Sequence, residues 1–205
     1  MKKYLFTLTT TLLVTLGYAQ TTDVPDAEIL PLEHPRHFFH LDIGNAIAGG
    51  AGVTPDSTIE TERTQSPVFG LGYDYNLNDR ISLGVVAAYQ RFNSTVNDTL
   101  GALLEEGAIN RIYTGARFIL HYGKGDVVRF YSGFRGGLVF FNSGNISGPA
   151  AANSRIEDEN NRYRISIALI PIAMRLRITE EFGAHLQTNF GAPYWFNLGL
   201  NYTLK

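Results

Sequence analysis

The sequence has no cysteine, one tryptophan and two methionines among its 205 residues. Without cysteine, an exported chain must hold its fold with no disulfide. No segment approaches the roughly 18 uninterrupted apolar residues of a spanning helix, so helical membrane spans are not expected. Lysine is almost missing from the segments that read as strands. Acids are nearly as rare there: of 19 acidic residues, only Asp42 and Asp74 fall inside them. The formal net charge is −2, and no cluster of Lys and Arg marks a surface for nucleic acid. A closed barrel fits these absences, because its backbone donors and acceptors pair within the ring.

What is present is alternation. From Val127 to Phe141 one face carries Val128, Phe130, Ser132, Phe134, Gly136, Leu138 and Phe140, and the other Arg129, Tyr131, Gly133, Arg135 and Gly137. Period two over that length is a strand signal. The preceding arm repeats it, with Ile112, Thr114, Ala116, Phe118, Leu120 and Tyr122 opposed to Arg111, Tyr113, Gly115, Arg117 and His121. Gly123 to Asp126 joins the two arms, and its glycines suit a tight hairpin. Strands in soluble domains run about 5–6 residues. These arms are about twice that, near the 9–11 residues a tilted strand needs to cross a bilayer. The apolar face would then meet lipid, and the Arg and Gly face a narrow lumen.

The rest of the chain follows the same pattern. Met1 to Ala19 reads as a secretory signal: Lys2 and Lys3, an apolar run, then Gly17-Tyr18-Ala19 as a cleavage site. Residues 20–36, with Pro25, Pro31 and Pro35 and no periodicity, read as an extended periplasmic lead-in. Residues 37–205 form the barrel, with strands near Phe38–Ala48, Val68–Leu77, Arg80–Phe92, the two hairpin arms, Arg162–Ile178, Phe182–Phe190 and Phe196–Leu204. Long polar segments, Gly49–Ser66, Asn93–Ala108 and Asn142–Asn161, alternate with short turns such as Asn78-Asp79. In the sixth strand the apolar parity switches at Pro171. A bulge there would turn both Tyr163, Ile165, Ile167, Leu169 and Ile170, Ile172, Met174, Leu176, Ile178 to lipid.

The expected fold is therefore all-β, an eight-stranded antiparallel up-and-down transmembrane barrel with short periplasmic turns and longer outer loops. A soluble barrel would place its apolar face inward around a ligand and Lys and Glu outward. Here the polar face is Gly, Arg and Asn. At this point the chain resembles the small eight-stranded outer-membrane barrels of the OmpX and OmpA transmembrane-domain type, in a Bacteroidetes-like form. The resemblance rests on Gly17-Tyr18-Ala19-Gln20, on the alternating strands and on Leu198-Gly199-Leu200-Asn201-Tyr202. It implies insertion by the barrel-assembly machinery and residence in outer-membrane lipid, with another outer-membrane protein as an open partner. It implies no activity. The chain departs from the pattern at its end, Leu204-Lys205, where an aromatic residue is usual; Tyr202 is the nearest substitute.

Chemistry would sit in the lumen. Arg111, Arg117, Arg129, Arg135, Arg164, Arg175 and Arg177 point inward and outnumber Asp42 and Asp74. A salt-bridged filling is expected, with the acids meeting Arg129, Arg175 or Arg177 across the barrel, since buried charges need partners. The alternative is a narrow conduit preferring anions. His34, His37 and His40 are poorly spaced for a metal. His40, His121 and His185 point inward together and are expected to be hydrogen-bonded, with no metal or cofactor. No His is followed two residues later by Ser, as in lipid A deacylase barrels, and no Gly-x-Ser-x-Gly elbow or phosphate loop occurs, so no catalytic residue is expected. Asp56-Ser57-Thr58 and Asp98-Thr99-Leu100 resemble O-glycosylation triplets, with Ser57 and Thr99 as acceptors.

Overall fold

A computed structural model of the chain describes residues 37–46, 59–98, 100–122, 125, 127–149 and 163–204. The expected signal and lead-in, the triplet residues Ser57 and Thr99, and most of the third long segment lie outside the described residues. The regular structure is all β: β1 (His37–Asn45), β2 (Ile59–Gln65), β3 (Val68–Asn76), β4 (Ile81–Asp98), β5 (Leu103–Tyr122), β6 (Val128–Ser147), β7 (Tyr163–Arg177), β8 (Phe182–Thr188) and β9 (Phe196–Leu204). The hydrogen-bonded order is β2-β4-β3-β1-β9-β8-β7-β6-β5, and β4 also pairs β5. That last pairing closes a ring of eight antiparallel strands. β2 stands outside the ring, against the far end of β4.

The connections at one end are tight because their residues supply the bonds. Asn78 Oδ1 accepts from the backbone N–H of Arg80 and of Ile81, both at 2.9 Å. Thr179 Oγ1 accepts from the N–H of Phe182 at 3.0 Å. These are side-chain-stabilised turns of the kind that Asn and Thr favour.

Closure makes the alternation three-dimensional. Leu41, Val85, Ile165 and Ile167 are 66%, 58%, 79% and 76% exposed, whereas the residues beside them on the other parity are mostly buried. Along β5 the outward residues from Ile112 to Tyr122 cover ten steps. At about 3.4 Å per step and a tilt of about 40°, that is a band roughly 26 Å tall, close to the apolar band of barrels that span a bilayer.

Aromatic residues rim both edges of the band. Phe39 packs on Tyr73 and Phe182 on Tyr202, each at 5.1 Å between ring centres, near the short turns. Phe190 meets Trp195 edge-on at 5.6 Å at the other end.

Two expectations need correction. The first concerns the long polar segments, which are in part strand. β4 and β5 run 18 and 20 residues, about twice a spanning length, and β2 and the end of β6 join them beyond the ring. Phe92 and Ile109 are buried there against Phe141 and Ile146. The inward parity of the barrel continues through Phe92, Ser94 and Val96, so the extension keeps a covered face despite its polar composition. The second correction concerns Ile170. Between Tyr131 and Gly133 of β6, β7 spends one extra residue, Pro171 or Ile172. The bulge exists as expected, but the parity flips after Pro171. Ile170 is therefore fully buried inside with Ile119 and Tyr131, while Pro171 and Ile172 both face out.

Candidate functional site

The candidate site is the interior of the ring, and its geometry follows from register. Asp74 pairs with Gly84 on β4, and Gly84 pairs with Arg117 on β5. With no side chain between them, the fully buried carboxylate receives the Arg117 guanidinium through both Nε and Nη2. Arg175 reaches the same carboxylate from β7 at 3.4 Å. Its guanidinium lies over the Phe38 ring at 4.3 Å and near Tyr131 at 5.7 Å. A fork-to-carboxylate contact is the strong form of ion pair, and burial makes it stronger.

Asp42 has a different environment from the one expected of it. No arginine is its partner among the described residues. His40 Nδ1 lies 2.9 Å from one of its oxygens and His185 Nε2 lies 2.6 Å from the other. His185 Nδ1 donates to Asn201 Oδ1 at 2.8 Å. His121, expected in the same group, stands apart against Ser82 Oγ at 2.6 Å.

Farther toward the loop end, polar side chains link in series. Tyr131 donates to Gln187, Gln187 to Asn189, and Asn189 to Asn197. Arg135 donates to Asn189 and lies 5.3 Å from the Tyr194 ring centre. Arg111 donates to the Pro193 carbonyl at 2.8 Å and lies over Phe92. Arg164 and Arg177 sit on the inward parity but beyond the buried zone, where both are exposed, and Arg164 covers the Phe141 ring. Arg129 pairs in register with Arg175 and is half-buried.

An apolar exterior over a charged, hydrogen-bonded interior is the reverse of a soluble protein, and lipid is the solvent that suits it. The chain is a transmembrane β-barrel. Its architecture is that of the small eight-stranded outer-membrane barrels that its sequence resembles.

No protein-family model matches the sequence, and no curated protein matches it. By structure the chain is similar to the outer-membrane protein Ail of Yersinia pestis in a phospholipid bilayer nanodisc. The two share 14% identity at a TM-score of 0.45, over 83% of this chain and 100% of that one. It is similar to the outer-membrane protein OprG of Pseudomonas aeruginosa at 12% identity and a TM-score of 0.45, over 82% and 90% of the two chains. It is also similar to a de novo designed transmembrane β-barrel at 9% identity and a TM-score of 0.40, over 85% and 100%.

Among the described residues inside the ring, arginines outnumber aspartates; a third buried carboxylate, Glu105, lies in the extension opposite Val96. Arg111, Arg117 and Arg135 are each at most 6% exposed, and the Arg175 side chain 11%. Asp42 and Asp74 are the lumen acids against them. Among the described residues Arg111 and Arg135 rest on oxygen acceptors and ring faces instead of carboxylates. Sequence reasoning located these arginines. It did not find the His40–Asp42–His185 grouping or the series through Gln187 and Asn189. The signal for the first was the glycine at 199, whose meaning depends on knowing which strands flank it.

Proposed function

We propose that the protein is an integral outer-membrane barrel with a plugged lumen, acting as an envelope scaffold and surface-contact protein. The observation that carries this is the tie of Asp74 to Arg117 and Arg175, which come from β5 and β7. Small eight-stranded barrels have an interior only wide enough for side chains to fill, and a charge-paired filling resists displacement by passing ions. The extension built from β2, β4, β5 and β6 supports the second half of the reading. It projects past the aromatic edge and offers polar strand surface to a partner. On this reading the long connections are extracellular, the barrel is inserted by the outer-membrane assembly machinery, and another outer-membrane protein is the candidate contact. No catalytic role is proposed.

A narrow anion-preferring pore is the second reading, favoured by the excess of buried Arg over Asp. Rings of arginine select anions. Conductance of the refolded protein in a planar bilayer decides between them, run beside the heat-dependent gel shift that reports a closed barrel. Shifted but silent protein supports the scaffold. Steady anion-selective current, altered by Arg135→Gln, replaces it with the pore.

A further inference from the structure

The cluster at the turn end of the lumen has the composition and spacing of a metal centre. Asp42 on β1 and His185 on β8 are both register partners of Gly199 on β9. His40 precedes Asp42 by two residues and so shares its inward face. One donor atom from each of these three residues lies within 4.8 Å of the others, and all three residues are buried. A Cβ at residue 199 would collide with His185 Cε1 and Asp42 Oδ1, and one at residue 72 with His40 Nε2. The glycines at these two places leave the space that the cluster occupies.

The hydrogen-bond pattern points the same way. His185 has an acceptor near each ring nitrogen, Asn201 Oδ1 at Nδ1, 2.8 Å away, and Asp42 Oδ1 at Nε2, 2.6 Å away, and Asn197 Nδ2 reaches Nε2 as a donor at 3.4 Å. A neutral imidazole carries one N–H. With that proton given to Asn201, the Nε2 lone pair meets only the long Asn197 contact and otherwise faces a carboxylate oxygen at 2.6 Å, a repulsion that either a metal ion between them or a second ring proton relieves. Asp42 Oδ1 accepts no aligned hydrogen bond despite that proximity, and His40 Nε2 is buried with no partner. Both features fit ligands converging on a point off the line between them. The Asn201 contact is the outer-shell hydrogen bond that fixes the tautomer of a metal-bound histidine.

We propose that His40, Asp42 and His185 bind a divalent first-row transition ion of the Zn2+ type. Two imidazole nitrogens and one carboxylate oxygen are a standard donor set for it. Donors at about 2.0–2.1 Å around a tetrahedral ion stand roughly 3.3 Å apart. The 2.6 Å contact of His185 Nε2 with Asp42 Oδ1 needs open only slightly, while His40 Nδ1 keeps its 2.9 Å contact with Asp42 Oδ2 and leaves Nε2 for the ion. Asp74 is engaged by Arg117 and Arg175, so Asp42 is the carboxylate left to offset the ion. The competing arrangement is an imidazolium–carboxylate pair with no metal.

The test is a Co2+ titration of the refolded, untagged full mature chain in lipid nanodiscs, read by visible d–d absorption and followed by Zn2+ displacement. One tetrahedral-type Co2+ per chain is expected, displaced by Zn2+. His185→Gln and Asp42→Asn should abolish the bands, and Asn201→Ala should weaken binding about 10–100-fold. His37→Gln and His121→Gln should leave it unchanged. The gel shift checks that each variant is folded. A wild-type barrel that gives no d–d bands overturns the proposal without any variant. So does a spectrum that survives His185→Gln in folded protein, or one that is lost with His37→Gln.

Discussion

Asp42 and His185 lie on strands that do not touch, yet each is directly opposite the same residue, Gly199. Asp74 and Arg117 are related in the same way through Gly84. Adjacent strands are about 4.8 Å apart, so residues two strands apart meet only when the position between them is empty. The ring uses this device for both Asp42 and Asp74. The lumen glycines at residues 84 and 199 are thus part of its charge pairing.

Gly199→Ala should therefore destabilise the barrel by about 1–3 kcal/mol, the usual cost of overpacking. Gly136 is the control. It faces outward, and a Cβ there meets nothing within 4 Å. Gly136→Ala should be neutral or stabilising by up to about 1 kcal/mol, since it restricts the unfolded chain. Denaturant midpoints in lipid vesicles measure both, and equal losses at the two sites would refute the role given to residue 199.

Asp74→Asn should be among the costliest substitutions in the lumen. It leaves Arg117 and Arg175 buried without their carboxylate, and uncompensated buried charge costs roughly 3–5 kcal/mol. Arg175→Gln should cost less, because Arg117 keeps its two-point contact with Asp74. Equilibrium unfolding of the two variants gives the ranking. If Arg175→Gln costs as much as Asp74→Asn, the carboxylate does not depend chiefly on Arg117.

Phe134→Arg tests the lipid face. Phe134 is 53% exposed near the middle of the apolar band and stacks on Phe118 at 5.3 Å. A charge at that depth costs about 2–4 kcal/mol in a membrane barrel. The same substitution at Leu100, 92% exposed in the turn between β4 and β5, should change the unfolding midpoint little.

Much of this was legible in the chain because the side-chain period of a strand is two. The outward sets on β1, β3, β5, β8 and β9 read directly from alternation, and Asn78-Asp79 and Pro171 marked a turn and a bulge through their own chemistry. Ile170 was misplaced because a proline says that a ladder breaks without saying on which side the parity flips. The outer halves of β4 and β5 were missed because Asn93 to Asp98 is polar. Their single periodic cues, Ser94 and Val96, gain meaning only once β2 and β5 lie alongside. The pairing of Asp42 with histidine was beyond reach for a different reason. It depends on the stagger of strands around the closed ring, which no single strand encodes.

The extension can be separated from the barrel experimentally. Thr95 sits in β4 between Glu62 of β2 and Glu106 of β5. Proline at a central strand position removes a ladder bond and clashes with the pleat. Thr95→Pro should therefore unpair β2 and the start of β5. The ring pairs β4 with β3 only through residues 82 to 89, well below the substitution. The heat-dependent shift and the denaturant midpoint should stay at wild-type values, while amide protection is lost over Ile59–Gln65 and Leu103–Glu106, as expected for a locally unfolding unit. A midpoint that falls with the protection would make the extension part of the barrel's own stability. A midpoint that holds gives a membrane-inserted barrel without its outer sheet, the reagent that tests whether surface contact resides there.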